Sequence, residues 1–355
     1  MTAPIRVLVV DDSAFVRKVV REMLVRSGAF DVVGLARDGE EALELAERLR
    51  PDVITLDLVM PRMNGVEFLR EQNQRRRIPV VVCSIAHQSG EMALEAFEAG
   101  AVEFVQKPTA LATDRVYEIA AELVAKVEAA ARASIAGPAE PSGATVPAKA
   151  ARPVARASRP VWKTGQRQCD IVVLGISTGG PQALRQLIPQ LAKDFPVPIA
   201  MVLHMPVGYT EMYAQRLDSV AALDVREARE GDVLLPGRVL LAPAGRHLTF
   251  VRDGGDVVAH LDDRPVESQH RPSVDVLFRS AADLFGGRVL GVVMTGMGND
   301  GLLGAAHIKA QGGRIVTEAE SSCVVYGMPR AVEEASLSDR SATLDEMGDA
   351  IVEMI

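Results

Sequence analysis

Seven residues stand where an apolar, strand-like run stops and carry side chains able to do chemistry: Asp11, Asp12, Asp57, Lys107, Ser177, His204 and Asp300. Ser177 lies in Gly175-Ile176-Ser177-Thr178-Gly179, a G-x-S-x-G pattern whose glycines permit a sharp strand-to-helix turn that exposes the hydroxyl. Pro181 suits the first turn of the helix that follows, whose start would aim N–H groups at an oxyanion formed beside Ser177. Taken alone this turn reads equally as a phosphate-binding loop. Two features favour the nucleophile: no Walker lysine follows, and the next apolar run, Ile199–Leu203, ends in His204 where a ribose-binding acid would be wanted.

A serine nucleophile needs a base, and the base needs a carboxylate to orient it. His204 is the histidine at a strand end; His247, His260 and His270 fall in or just after a hairpin pattern and are weaker rivals. For the carboxylate, the stretch Thr295-Gly296-Met297-Gly298-Asn299-Asp300-Gly301 delivers Asp300 to the same sheet edge, while Asp275, the alternative, reads as part of a helix's first turn. The order Ser, His, Asp differs from that of α/β-hydrolases, so their fold is not implied.

In the N-terminal third, Asp11-Asp12 close the first strand pattern and Asp57 the third. The carboxyl ends of parallel strands line a ligand crevice, so these acids meet as like charges and call for a cation. Oxygen ligands of this kind suit Mg²⁺. Ser84 ends the fourth strand, and Lys107-Pro108 follows the fifth, adding a hydroxyl and an ammonium to a site able to hold a phosphoryl group.

These residues require two alternations of strand and helix. With 355 residues the chain exceeds one ordinary core and suggests about two domains. The first alternation has strands at Ile5–Val10, Asp31–Ala36, Val53–Leu56, Val80–Ser84 and Val102–Val105, with helices Ser13–Arg26, Glu40–Leu49, Val66–Arg75, Glu91–Ala99 and Arg115–Ala131. This is the signature of a flavodoxin-like, doubly wound parallel sheet over residues 1–131. Residues 132–167 are rich in Ala and Pro, with seven basic residues and a single acid, Glu140; they read as a flexible basic linker, with Trp162 as the one hint of docking. Residues 168–355 resume with strands Asp170–Gly175, Ile199–Leu203, Leu223–Arg226, Val239–Ala242 and Val289–Met294, and helices Gln182–Leu191, Glu211–Val220, Val274–Ala282, Leu302–Gln311 and Ala331–Ser336. A hairpin over Arg246–Leu261 turns at Asp253-Gly254-Gly255, giving a second doubly wound, mainly parallel α/β domain with an antiparallel hairpin.

The net charge of −8 argues against nucleic acid as a general partner. Apolar runs are only strand-length and no secretion signal precedes Ile5, so the cytoplasm is the expected compartment. The three cysteines, Cys83, Cys169 and Cys323, are widely spaced without a CxxC pair and read as reduced.

On Asp11-Asp12, Asp57 with Met60-Pro61 and Gly65, Ser84 and Lys107-Pro108, about the first 125 residues resemble the response-regulator receiver family. The resemblance implies a histidine kinase that phosphorylates Asp57. It also implies Mg²⁺ held by Asp12, Asp57 and the Val59 carbonyl with Asp11 nearby, Lys107 and Ser84 contacting the phosphate, and Phe104 as an aromatic switch. The run Gly175–Pro181, Leu203-His204-Met205-Pro206, Arg271–Phe278 and Thr295–Gly301 resembles the CheB family of chemotaxis protein-glutamate methylesterases. That resemblance implies Ser177 as nucleophile, His204 as base and then acid, Asp300 as orienting carboxylate, and Thr178 and Met297 lining the site. It implies methylated glutamates of chemoreceptors as substrate, deamidation of receptor glutamines as a further activity, no cofactor for the esterase, and membrane contact only through receptors. A binding module without catalysis and a receiver with a DNA-binding output rank below it.

Overall fold

The computed structural model describes residues 3–84, 90–107, 113–133, 169–264 and 270–355. The linker residues 134–167, Pro108 and the run Ile85-Ala86-His87 lie outside them. The chain divides into two compact units, residues 1–135 and 136–355.

The first unit alternates β1 (Ile5–Val10), α1 (Ala14–Arg26), β2 (Phe30–Ala36), α2 (Gly39–Leu49), β3 (Val53–Leu56), α3 (Gly65–Arg75), β4 (Val80–Ser84), α4 (Gly90–Glu98), β5 (Glu103–Gln106) and α5 (Thr113–Ala131). The strands form one parallel sheet in the order β2-β1-β3-β4-β5. β1, β3 and β4 are buried along their described length apart from Ile5 and Arg6, as a sheet covered by helices on both faces demands. Short polar side chains start the helices: Ser13 caps α1, Asp38 caps α2, and Asn64 with Glu67 makes a reciprocal capping box on α3.

The second unit contains β6 (Ile171–Ile176), α6 (Gly180–Leu187), β7 (Ile199–Leu203), α7 (Thr210–Val220), β8 (Asp224–Glu227), β9 (Arg238–Leu241), the hairpin β10 (His247–Asp253) and β11 (Asp256–Asp262), α8 (Val274–Phe285), β12 (Val289–Val293), α9 (Leu302–Ala310), β13 (Arg314–Glu318), α10 (Met328–Glu334), β14 (Arg340–Ala342) and α11 (Met347–Glu353). Seven strands run parallel in the order β14-β13-β12-β6-β7-β9-β8. The hairpin forms a separate two-stranded antiparallel sheet in which Asp253 pairs with Asp256, leaving Gly254-Gly255 as the turn. Gly254 carries the left-handed φ of 59° that short hairpin turns require.

The hairpin and α8 pack together in one core, where Phe250, Val257 and Ala259 join Phe278, Ala281 and Ala282. Phe278 is fully buried there, a contribution of about 2–3 kcal/mol.

Several boundaries differ from the sequence expectation. The helix expected over Gln182–Leu191 ends at Leu187 and tightens into a 3₁₀ turn over Ile188–Gln190, around Pro189. α10 starts three residues early because Pro329 fits its first turn, where a missing N–H costs no bond. β13, β14 and α11 were not anticipated at all. β13 offers only Ile315 and Val316 as an apolar signal, while its buried Thr317 and Glu318 resemble surface residues in sequence.

Candidate active site

Both strand orders reverse direction at one place, and ligands of doubly wound sheets bind outside the strand ends at that switch point. In the first unit the switch falls between β1 and β3, where Asp11, Asp12 and Asp57 emerge. In the second it falls between β6 and β12, where Ser177 and the loop 294–301 emerge.

In the first unit, one oxygen from each of Asp11, Asp12 and Asp57 lies within 4.8 Å of the others. Lys107 Nζ bridges Asp11 Oδ2 at 2.6 Å and Asp57 Oδ2 at 2.7 Å. Ser13 N–H donates to Asp11 Oδ1 and Leu58 N–H to Asp57 Oδ1, so each buried carboxylate is oriented by a backbone amide. Arg17 fixes the loop beneath them by donating to the Asp11 and Asp12 carbonyls. Burial pushes the Asp11 and Asp57 carboxyls up, against the pull of Lys107. Three carboxylates thus face one ammonium, an excess of negative charge on hard oxygen donors that fits a divalent cation such as Mg²⁺. Asp12 is the exposed member and opens the cluster to solvent.

Gly65 lets the following turn close on this site, since a Cβ there would stand 2.4 Å from the Asp57 carbonyl oxygen. Ser84 ends β4 with its carbonyl accepting the Lys107 N–H at 3.0 Å, and Phe104 is buried in β5. The Phe104 carbonyl accepts from Lys126 Nζ of α5 at 2.7 Å, and Lys126 also pairs with Glu103 and Glu122.

In the second unit, β6 and β7 pair with Ile176 opposite Leu203, so Ser177 and His204 are the next residues of adjacent parallel strands. Gly179 adopts φ 80° to turn the chain into α6, and Pro181 occupies that helix's first turn. On the other side of β6, Ser177 N–H donates to the Thr295 carbonyl at 3.0 Å. A Cβ on Gly296 would meet Ser177 Cβ at 2.8 Å, so glycine alone allows the loop after β12 to lie against the serine. Thr178 is buried, and its carbonyl accepts from Thr295 Oγ1 at 3.0 Å. Met297 is half-buried on that loop, and its N–H has no acceptor among the described residues.

His204 Nε2 and Asp300 Oδ2 are 2.9 Å apart. This bond leaves Nδ1, buried and without a partner among the described residues, as the free ring nitrogen. The Ser177 hydroxyl likewise makes no hydrogen bond among the described residues. The His270 ring stacks on His204 with centroids 4.2 Å apart; a rival in sequence is a neighbour in space. Asp300 accepts three further bonds, from Ser273 Oγ and from the Val274 and Asp275 amides at the start of α8. Burial alone would raise its pKa, but His204 and those amides hold it down at about 2.

Asp275, the alternative carboxylate, faces α9 and accepts from the Gly301 and Gly304 amides. His247 is buried behind Ser273, and His260 pairs with Glu230 away from this cluster. Sequence reasoning missed Glu318, a buried carboxylate at the end of β13 that accepts from Thr295 N–H at 2.9 Å and from Ser322 Oγ at 3.0 Å. Burial raises its pKa. It singled out Ser273 only as part of a motif. Among the described residues no helix is long and apolar enough to cross a membrane.

Residues 172–351 match the CheB methylesterase family, and residues 7–116 match the response regulator receiver domain. The chain is 53% identical over 348 residues to protein-glutamate methylesterase/protein-glutamine glutaminase 5 of Myxococcus xanthus, covering 98% of this chain and 97% of that protein. It is 42% identical over 354 residues to the protein-glutamate methylesterase/protein-glutamine glutaminase of Geobacillus kaustophilus, covering 99% of both. The crystal structure of the Thermotoga maritima CheB methylesterase catalytic domain superposes with a TM-score of 0.52 at 40% identity, covering 53% of this chain and 99% of that one. The chain belongs to the CheB methylesterase family and carries a response-regulator receiver domain ahead of its methylesterase domain.

Proposed function

We propose that the chain is a phosphorylation-regulated serine esterase that removes methyl groups from glutamyl esters on chemoreceptors during chemotactic adaptation. The observation that carries this reading is the contact of His204 Nε2 with Asp300, beside a serine on the neighbouring strand. With Nε2–H donated to the carboxylate, Nδ1 keeps its lone pair and is the base. Ser177 Oγ attacks the ester carbonyl as its proton passes to Nδ1. The oxyanion is met by backbone N–H groups of the Thr178 and Met297 segments. His204 then protonates the departing methoxide oxygen, releasing methanol and leaving a glutamyl-enzyme. Water gives a proton to the same nitrogen and attacks the acyl carbon; the bond from the acyl carbon to Ser177 Oγ breaks, His204 returns the proton to that oxygen, and a carboxylate is released. Asp300 stays ionised throughout and stabilises the imidazolium. Glutamine amides follow the same course with ammonia as leaving group, and no cofactor takes part.

In the first unit Asp57 is the phosphoryl acceptor for a chemotaxis histidine kinase, with Lys107 and Ser84 placed to contact the phosphate and Phe104 as the switch side chain. Asp11, Asp12 and Asp57 would hold Mg²⁺, which would offset the charge of the incoming phosphoryl oxygens. Phosphorylation shifts the population toward the more active esterase. The cytoplasm, where receptors present their methylated helices, is the proposed compartment.

Methanol release from methylated receptor membranes, with and without a small phosphodonor and Mg²⁺, tests both statements. Ser177→Ala is expected to abolish release, and undiminished turnover by that variant rejects the assignment. Equal rates for Asp57→Asn and for phosphorylated wild type reject the regulation.

A further inference from the structure

A serine at a helix N-cap ordinarily accepts from the N–H two or three residues on. Ser273 holds that place before α8, with extended backbone at φ −116° and ψ 137°, yet its side chain makes no such bond. Its hydroxyl donates to Asp300 Oδ1 at 2.9 Å, and the Asp300 carboxylate takes over the cap by accepting from Val274 N–H at 2.8 Å and Asp275 N–H at 3.0 Å. Ser273 is 1% exposed, and its own N–H donates to His247 Nδ1 at 3.3 Å, so its backbone is tied on the opposite side. A local cap has been given up for a bond across 27 residues of chain.

We propose that Ser273 is a positioning residue of the esterase site, whose hydroxyl turns the Asp300 carboxylate so that Oδ2 faces His204 Nε2. This rests on the hydrolytic reading above. A carboxylate can rotate about its own bond, and only fixed donors on both oxygens hold it in one setting. Oδ1 is held by Ser273 and the Asp275 amide, Oδ2 by the Val274 amide and His204. Without the hydroxyl, Oδ1 keeps one donor. The carboxylate becomes more basic, favours the imidazolium more strongly and turns more freely.

Among the described residues, the titratable groups in contact with His204 are Asp300 at Nε2 and the stacked His270; Asp275 lies beyond the carboxylate in α8, and His247 lies behind Ser273. The test compares Ser273→Ala, Ser273→Cys and Ser273→Thr in the full chain. Ser273→Ala and Ser273→Cys are expected to lower kcat about tenfold with little change in KM, the loss of one hydrogen bond to a charged group. The acid limb of kcat/KM should move to higher pH, and Ser273→Thr, which keeps the hydroxyl, should restore both. Histidine-ring NMR follows the His204 titration without turnover and separates it from that of His270. A raised His204 pKa in Ser273→Ala supports positioning even if no ester is hydrolysed, whereas absent hydrolysis in the wild type would count against the functional reading alone. Unmoved kcat, profile and His204 titration in Ser273→Ala and Ser273→Cys overturn the proposal, as does equal loss in Ser273→Thr.

Discussion

Asp275 and Asp300 each bind the start of the helix at which the other stands, α8 for Asp300 and α9 for Asp275. Asp300 accepts from the Val274 and Asp275 amides of α8, while Asp275 Oδ1 accepts from the Gly301 amide at 2.9 Å and the Gly304 amide at 2.7 Å at the start of α9. Each carboxylate meets N–H groups that a helix leaves unsatisfied, at the end where the helix dipole favours negative charge. The exchange fixes the loop bearing Asp300. Removing the Asp275 carboxylate should therefore loosen that loop from the far side. Asp275→Ala is expected to cost about 1–2 kcal/mol in urea unfolding and to lower kcat, with Asp275→Asn milder because its amide oxygen still accepts. Wild-type stability in Asp275→Ala would contradict the exchange.

Asp300→Asn keeps the shape but offers an amide where a carboxylate held the Nε2–H tautomer. A loss in kcat of about 10⁴ is expected, by analogy with the same change in other serine hydrolases, at nearly constant KM. A loss under tenfold would remove Asp300 from the reaction.

The same carboxyl also bears on acid stability. Its folded pKa, about 2, lies below the ordinary 3.8, so its contribution is fully present above about pH 4 and disappears as the pH falls toward 2. The gap corresponds to about 2 kcal/mol. Between pH 5 and pH 2 the wild type should lose stability more steeply than Asp300→Asn, as followed by denaturant midpoints at each pH. Parallel slopes would show that the carboxyl is not held low.

In the receiver unit, burial works against the ionised forms of Asp11 and Asp57, which share the single Lys107 ammonium. Asp11→Asn or Asp57→Asn should raise the stability of that unit by about 1 kcal/mol, a gain obtained at the expense of phosphorylation. Mg²⁺ should raise the thermal midpoint of the wild type more than that of either variant. Lower midpoints for both variants would show the cluster to be a net stabiliser.

Lys126 lies 3.4 Å from buried Glu103 and 2.7 Å from the carbonyl of Phe104, tying α5 to β5. Lys126→Met takes the ammonium from the buried Glu103 carboxylate, which keeps the Phe104 amide as a donor, and should cost about 3 kcal/mol, with much of the loss recovered in the Lys126→Met, Glu103→Leu double variant. Additive losses in that cycle would show that the two groups do not interact.

Much of this architecture was legible because parallel strands announce themselves as apolar runs ended by a polar residue, and in both units those polar residues gather at the switch point. Asp57 after Leu56, His204 after Leu203 and Ser177 inside its glycines could be placed from pattern alone. β13 could not, because Thr317 and Glu318 are buried through partners distant in sequence, Glu333 and Ser338 for Thr317 and the Thr295 amide for Glu318. Ser273 was hidden for the opposite reason: a serine before a helix already has a local explanation, and only its hydrogen bond shows that the explanation fails.

The pairing of Ile176 with Leu203 makes the ladder between β6 and β7 the element that sets Ser177 and His204 side by side. Side chains alternate sides along a strand, so inserting or deleting one residue within Ile199–Leu203 would send the imidazole into the opposite helical layer, however intact the sheet remained.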